Sequence, residues 1–129
     1  ELGETRYAAD AMRAMAEMLL KRCSEHEGPR VAREAIARAT EAIRAYCELG
    51  DKFYEGYMLH VLSSAKLHAE IPTKECVRSA EQAVACFREA GEKRWEAITL
   101  RTLAEKIYER GRGRESEGLP HAQEAPRIY

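Results

Sequence analysis

Apolar residues recur along most of the chain at intervals of three and four, which is the spacing of one face of an α-helix. Between residues 96 and 112 they stand at Leu100, Leu103, Ala104, Ile107 and Tyr108. No stretch shows the alternation of apolar and polar residues that a half-buried β-strand requires. The pattern therefore predicts an all-α protein.

A second helical pattern differs from the first because its apolar face consists mainly of small residues. In one segment this face runs Ile36, Ala39, Ala42, Ile43 and Tyr46, and the segment CVRSAEQAVACF at 76–87 repeats the spacing. Small side chains allow two helices to approach closely, and the aromatic residue at the end closes the contact. The sequence thus predicts two kinds of helix that alternate along the chain.

The two patterns recur as a unit. The stretch ELGDKFYEG at 48–56 resembles EAGEKRWEA at 89–97, and 41 residues separate Gly50 from Gly91. An earlier copy aligns at an offset of 47, and its extra residues surround Gly28 and Pro29, which read as a longer turn. We therefore predict a repeat array over 1–112, with copies at about 5–50, 53–91 and, in part, 94–112. The segment 113–129 is predicted to be irregular or partly helical.

The turn residues agree with this division. Gly50 and Gly91 follow helical segments, where a left-handed residue commonly ends a helix. Pro72 and Thr73 suit the end of one helix and the start of another. A pair of short helices cannot bury both of its apolar faces, so the copies are expected to stack and share a core.

Composition narrows the possible partners. The 129 residues carry a formal net charge of −1, which gives no overall field to attract nucleic acid or an anionic membrane. No apolar run approaches the roughly 18 residues of a membrane span, and the first residues do not resemble a signal peptide. We therefore expect no nucleic-acid partner and no membrane span.

The four cysteines, Cys23, Cys47, Cys76 and Cys86, have none of the spacings typical of zinc or redox sites. A chain able to build its own core has little need of a disulfide framework. The favoured interpretation is reduced thiols in an intracellular, cytoplasmic protein. Neither end shows a capping segment, and the chain is expected to be flanked by further repeats or other subunits.

The helix pair, with its large-x-x-large-small spacing in the first helix and small residues in the second, resembles the tetratricopeptide repeat. The best copy is EAITLRTLAEKIYERGR at 96–112. The 41-residue spacing is similar to that of the longer variant found in cell-polarity adaptors, kinesin light chains and bacterial signalling regulators. Gly replaces the proline that closes the shorter form. The resemblance implies a right-handed α-solenoid of about five main helices plus a partial C-terminal segment.

The resemblance also implies a concave groove, lined by the first helix of each pair, that takes an extended peptide or a partner's helix. Equivalent positions in the three copies would place a basic column of Arg13, His60 and Arg101 in this groove. Beside it lie Glu17, Ser64 and Glu105, with His68 further along the middle helix. A basic column suits an acidic partner segment, because guanidinium groups bind carboxylates.

A plainer alternative stays open for the charged positions. Arg13 with Glu17, and Arg101 with Glu105, stand four residues apart on a helix and can pair with each other on a solvated surface. Tyr57 has no aromatic counterpart in the other copies, and it is the first candidate for an anchor residue in the groove. Tyr7, Tyr54 and Trp95 are equivalent, and each is expected to pack against the preceding copy.

Other chemistry is not favoured. The chain has no Asn. Of the positions equivalent to a chaperone-tail clamp in the family that it resembles, Arg13 is basic, but the others carry unsuitable residues. His60 and His68 are separated by about 12 Å of helix, too far to share one metal ion easily. Cys76 occupies a small-residue core position, which predicts a packing thiol rather than a nucleophile. No phosphate-binding glycine motif is present. We expect no catalytic residue, no metal and no cofactor, and therefore no enzyme.

The sequence thus predicts a protein-interaction module or scaffold that binds a partner peptide or helix. Two alternatives remain. One is a regulatory or sensor domain of a multidomain signalling protein, and the other is a purely structural subunit of an assembly.

Overall fold

The computed structural model describes residues 2–25 and 28–117, with side chains described for 3–25 and 28–112. Five helices account for nearly all of this part: α1 (Leu2–Glu25), α2 (Pro29–Leu49), α3 (Lys52–His68), α4 (Thr73–Ala90) and α5 (Lys93–Glu117). The described residues contain no strand, so the all-α prediction is confirmed. Helix α5 continues beyond 112 to Glu117, and the rest of the predicted C-terminal segment, 118–129, lies outside the described residues.

Glycine ends two of the helices. Gly50 and Gly91 have φ values of 72° and 73°, in the left-handed region that side chains with a Cβ avoid. The amide of Gly50 bonds to the carbonyl of Cys47 and that of Gly91 to the carbonyl of Arg88. The chain then reverses within one to two residues, so that α3 follows α2, and α5 follows α4, as antiparallel neighbours.

Side chains define the starts of α2 and α3. Pro29 occupies the first turn of α2, where its missing N–H leaves no internal hydrogen bond unmade. The carboxylate of Asp51 accepts a hydrogen bond of 3.1 Å from the amide of Tyr54 and so caps α3. The same carboxylate lies 2.8 Å from the Arg6 guanidinium of α1. Asp51 therefore sets both the start of α3 and its position beside α1.

The helices pack in chain order. Each contacts the next, and in addition α1 contacts α3 and α3 contacts α5. Among the described helices α2 and α4 make no comparable contact. The odd-numbered helices thus form a continuous layer, against which the even-numbered helices lie as separate elements.

Small residues bring the layers together. The alanines predicted for the inner face of α2, Ala35, Ala39 and Ala42, have no exposed surface. Gly56 of α3 lies so close to α4 that a Cβ added there would be 2.9 Å from the Cβ of Cys86. The largest fully buried side chains, Tyr46, Phe87 and Met58, fill the core between these close approaches.

Large apolar side chains are exposed on the first and the last of the described helices. In α5, Leu100 is 47% exposed and Tyr108 is 66% exposed, and in α1 Tyr7 is 78% exposed. Tyr54 does stack on Tyr46 of the preceding copy, as expected for this position. The outer faces of α1 and α5 differ from the middle copy because no further helix among the described residues packs against them.

Within the described part of the chain, no helix combines the length and apolar character that crossing a membrane requires.

Candidate functional site

Three odd-numbered helices meet around an open pocket of about 250 Å³. The pocket lies on the layer formed by α1, α3 and α5, and contacts between these helices determine its shape. Its lining comprises Arg13 and Glu17 from α1, Phe53, Tyr54 and Tyr57 from α3, and Trp95 from α5. We call it the aromatic pocket.

Four rings of the aromatic pocket form a closed circuit of edge-on contacts. The ring centroids of Phe53 and Tyr54 are 5.1 Å apart, those of Tyr54 and Tyr57 6.3 Å, and those of Tyr57 and Trp95 5.4 Å. Trp95 returns to Phe53 at 6.0 Å. Edge-to-face contacts are the favoured geometry for aromatic pairs. The circuit therefore holds the pocket walls in defined orientations.

Arg13 is engaged by groups of its own protein. Its Nε donates a hydrogen bond of 3.0 Å to the hydroxyl of Tyr46, which in turn donates to Asp10. The guanidinium lies 4.7 Å from the centroid of the Tyr54 ring. Its terminal nitrogens are 3.6 Å from Asp10 and 3.8 Å from Glu17. The pairing of Arg13 with Glu17 that the sequence allowed as an alternative is thus present.

Hydrogen bonds and burial shift the acidity of this cluster. The hydrogen bond to Tyr46 raises the pKa of Arg13 above its already high ordinary value. Burial, with the hydrogen bond to Asp10 as the next cause, raises the pKa of Tyr46 to about 12. Arg13 and Tyr46 therefore both keep their protons throughout the physiological range.

Tyr57 joins α3 to α1. Its hydroxyl donates a hydrogen bond of 2.6 Å to a carboxylate oxygen of Glu17, and burial together with this bond raises the pKa of Tyr57. The hydroxyl is therefore occupied, while the ring remains a wall of the aromatic pocket. Tyr57 lines the aromatic pocket. That it anchors a partner stays a prediction.

His60 extends the same surface by one turn of α3. Its ring stacks on Tyr57, with centroids 6.3 Å apart, and meets Trp95 edge-on at 6.0 Å. Burial lowers the pKa of His60, so the imidazole is neutral at pH 7. The expected basic column of Arg13, His60 and Arg101 is thus uncharged at its centre.

His68 lies in a second pocket of about 310 Å³ at the junction of α3 and α5. Its neighbours there include Lys106 and Glu109, and burial lowers its pKa, with Lys106 adding to the effect. Arg110 forms one wall of this pocket, and both of its terminal nitrogens are hydrogen-bonded. Its guanidinium donates to the carbonyls of Leu67 and Ile71, both at 2.7 Å. Arg110 therefore ties α5 to the end of α3 and the loop that follows.

The remaining predicted residues do not join the aromatic pocket. Ser64 is only 7% exposed and offers little surface to a partner. Arg101 and Glu105 are both exposed on α5, and the ion pair between them that the alternative interpretation allowed is not present among the described residues. The eight predicted groove residues thus divide into a central group of four, a buried serine, one histidine in the second pocket, and two exposed charges.

The cysteines, all of which lie in the described part of the chain, form no disulfide. Cys76 has no exposed surface and burial raises its pKa, which confirms the prediction of a buried packing thiol. Across residues 2–25 and 28–117, no group of three or more His, Cys, Asp or Glu side chains is arranged to hold a metal ion.

Sequence reasoning missed three walls of the aromatic pocket. Tyr54 and Trp95 were assigned to packing alone, and Phe53 was not considered. A signal for them was available, because Tyr54 and Tyr57 stand three residues apart on one helix face and Trp95 is the equivalent of Tyr54 in the next copy. What the sequence did not show is that Trp95 reaches across to both Phe53 and Tyr57.

In comparisons with known proteins, no family model, no curated protein and no solved structure matches this chain.

Proposed function

We propose that this protein is an interaction module that binds a segment of a partner protein along the layer of α1, α3 and α5. The aromatic pocket is the observation that carries the proposal. It is open, it has four aromatic walls contributed by two helices, and a third helix supplies its charged rim. Rigid aromatic surfaces of this kind are common at the energetic centres of protein interfaces.

The charges around the pocket indicate what it accepts. Arg13 is held by Asp10, Glu17 and Tyr46, and Glu17 is held by Tyr57. An incoming charged group would have to displace these partners, whereas an apolar side chain would only displace water. The partner therefore places an apolar anchor residue in the pocket. Arg101 occupies the position on α5 that is equivalent to His60 on α3, it is exposed, and it has no ion pair among the described residues. It is therefore a cation that an acidic residue of the partner segment can meet outside the pocket.

The arrangement of helices supports a tetratricopeptide-like right-handed solenoid as the scaffold. Successive helices are antiparallel neighbours, and odd-numbered helices contact one another while α2 and α4 do not. Because the odd-numbered helices lie close together and the even-numbered helices lie apart, the array curves toward the side of the odd-numbered helices. The partner segment, a peptide or a helix, then lies on the concave side. With three of its four thiols buried and no disulfide, the module suits a reducing, cytoplasmic compartment.

A purely structural role in an assembly is the second candidate. The observation that favours it is the exposed apolar surface on α1 and α5, which includes Tyr7 and Leu100. Apolar faces of this kind commonly mark contacts with other proteins.

The proposal can be tested by selecting ligands from a random-peptide library displayed on phage, with the full chain as target. We expect selected peptides to share an apolar residue with an acidic residue nearby. Arg101→Glu should weaken their binding roughly tenfold or more, since it reverses the charge that faces the acidic residue. Arg44→Glu makes the same change on the exposed side of α2 and should leave binding unchanged.

Tyr57→Leu supplies a second test, because it removes one aromatic wall while keeping an apolar side chain. Circular dichroism would confirm that the variant is folded. Equal binding by wild type, Arg101→Glu and Tyr57→Leu would show that the selected peptides use another surface, and the proposed groove would then be wrong.

A further inference from the structure

The exposed face of α5 has counterparts in the two earlier copies, and both counterparts are covered. In α1 the equivalent positions are Ala9, Met12, Ala16 and Leu20. In α3 they are Gly56, Leu59, Ser63 and Leu67, and in α5 they are Ala97, Leu100, Ala104 and Tyr108. We call the last set the open face of α5.

The side chains of the first two sets are largely buried, whereas those of the open face of α5 are exposed. Ala9 and Ala16 have no exposed surface and share a core cluster with residues of α2. Leu59 and Ser63 are 7% and 4% exposed. On the open face of α5, by contrast, Leu100 is 47% exposed and Tyr108 is 66% exposed, while Ala97 and Ala104 are also exposed.

The helices that cover α1 and α3 share one pattern. Each presents three small residues and then an aromatic residue, at successive intervals of four, three and four. The members are Ala35, Ala39, Ala42 and Tyr46 in α2, and Cys76, Ala80, Ala83 and Phe87 in α4. None of them is more than 1% exposed. This pattern therefore indicates which kind of helix fits the open face of α5.

The open face of α5 differs from that of α3 in being entirely apolar. Against α4, Ser63 donates a hydrogen bond to the carbonyl of Cys76, and Lys66 donates one to the hydroxyl of Ser79. The corresponding residues of α5 are Ala104 and Ile107. A helix on α5 consequently needs no polar partners at these points, and its association depends on apolar contact alone.

We propose that the open face of α5 binds an α-helix of a partner protein that carries this pattern of three small residues followed by an aromatic residue. The partner helix lies antiparallel to α5, as α4 lies along α3. Ala97 stands where α3 has Gly56, whose nearest neighbours on α4 are Cys86 and the ring of Phe87. The equivalent residue of α1 is also an alanine, Ala9, and it is fully buried in a cluster with residues of α2, so a helix of this pattern can pack against an alanine at this point.

Other occupants fit the face less well. The sequence 118–129 contains prolines at 120 and 126, which leave five residues between them, too few for the twelve-residue pattern. In a second copy of this chain, α2 and α4 already bury their small residues. The outer face of α1, which is free of such contacts, carries Tyr7, Met15 and Met18, which are large and exposed.

The test uses a peptide with the α4 sequence, residues 73–90, held helical by a lactam bridge between residues introduced at positions 78 and 82. Both positions are exposed in α4. The peptide is titrated under reducing conditions into the isotope-labelled full chain, and amide shifts are followed by NMR. We expect the largest shifts on α5 between Ala97 and Tyr108. A control peptide with Ala80→Glu and Ala83→Glu should not bind.

Two variants of the chain locate the contact. Leu100→Glu places a charge at the centre of the open face of α5 and should weaken peptide binding by roughly tenfold or more. Met18→Glu makes an equivalent change on the exposed face of α1 and should have no effect. Both positions are well exposed, so neither variant should unfold. Tyr57→Leu, in the aromatic pocket, should also leave peptide binding unchanged, which separates this proposal from the proposed function.

Three results would overturn the proposal. The first is equal binding of the α4 peptide to wild type and Leu100→Glu, or no binding at all. The second is a concentration-dependent dimer in light scattering that Leu100→Glu abolishes, because a second copy would then occupy the face. The third is binding that appears only after removal of residues 118–129, because the chain's own terminal segment would then be the occupant.

Discussion

At the scale of single residues, Gly56 shows how closely two helices of this protein approach. A Cβ at this position would lie 2.9 Å from the Cβ of Cys86 and 3.1 Å from the ring of Phe87. The contact with Cys86 is the stricter one, because a Cβ cannot move unless its helix moves. The absence of a side chain at residue 56 therefore sets the distance between α3 and α4.

We expect Gly56→Ala to destabilise the protein by about 1–2 kcal/mol. Overpacking at a tight contact costs about 1–3 kcal/mol, and the better helix propensity of alanine recovers up to about 1 kcal/mol. Gly111→Ala is the matched control, because Gly111 is also helical and an added Cβ there has no neighbour within 4 Å. Urea unfolding followed by circular dichroism should show Gly111→Ala equal to or slightly more stable than wild type. A stabilised Gly56→Ala would contradict the interpretation.

The burial of His60 predicts a loss of stability at mildly acidic pH. Because its folded-state pKa is lowered by burial, the histidine is neutral in both states above about pH 6.5. Below that value the unfolded chain binds a proton that folded His60 still excludes, so the free energy of unfolding falls until the folded pKa is reached.

The measurement is the urea midpoint at pH 7.0 and pH 5.5 for wild type and His60→Gln. Wild type should lose more stability than the variant across this interval. The contributions of His68 and of the carboxylates are common to both proteins and cancel in the comparison. An identical loss in wild type and variant would show that His60 is not the group responsible.

At the scale of elements, the start of α3 depends on one carboxylate with two roles. Asp51 caps the helix through the amide of Tyr54 and also pairs with Arg6 of α1. The Arg6 side chain is 43% exposed, so solvent screens the ion pair and it adds little. The cap is the larger contribution, because it satisfies a helix N–H that has no other partner.

We expect Asp51→Ala to lower stability by about 1 kcal/mol, the usual cost of losing an N-cap. Asp51→Asn keeps an oxygen that can accept from Tyr54 but loses the negative charge, and it should cost less than half as much. Thermal unfolding of the three proteins at low and high salt would separate the two roles. Equal losses in both variants would show that the ion pair, and not the cap, is the more important.

Sequence patterns predicted these elements well for a physical reason. Helix caps and small-residue faces depend on neighbours in the chain, and Gly50, Gly91 and Ala39 carried that information locally. The aromatic pocket was harder to predict, because Trp95 and Tyr57 come from different repeats and meet only after the helices have packed. The burial of Ser64, which was predicted as a groove residue, was hard to foresee for the same reason. A polar residue on a helix suggests exposure, yet the packing of α3 among its neighbours buries it.

At the scale of the whole molecule, α3 is the central element. Within residues 2–25 and 28–117 it contacts each of the other four helices, whereas α1 contacts only α2 and α3, and α5 contacts only α3 and α4. Opening of α5 therefore breaks fewer interhelical contacts than opening of α3. Arg110 partly offsets this difference, because it bonds α5 to the carbonyls of Leu67 and Ile71.

We predict a gradient of amide hydrogen exchange, with α3 the slowest and the part of α5 beyond Arg110 the fastest. Exchange through fraying requires almost no free energy, whereas exchange in the central helix requires nearly global unfolding. The difference should be roughly a thousandfold or more. Arg110→Ala should accelerate exchange in α5 and in the residues around Ile71 while leaving α2 unchanged. Uniform exchange across all five helices would contradict the prediction.

The order of packing also has a consequence for how the chain reaches its structure. Each of the described helices contacts only described helices that are adjacent or next but one in sequence, so the packing of this part of the chain requires no contact between distant helices. Such low contact order is typical of domains that fold within microseconds to milliseconds. A ribosome adds only about 5–20 residues per second. The pair of α1 and α2 can therefore assemble while α4 and α5 are still being synthesised, and each later helix finds a surface already formed to receive it.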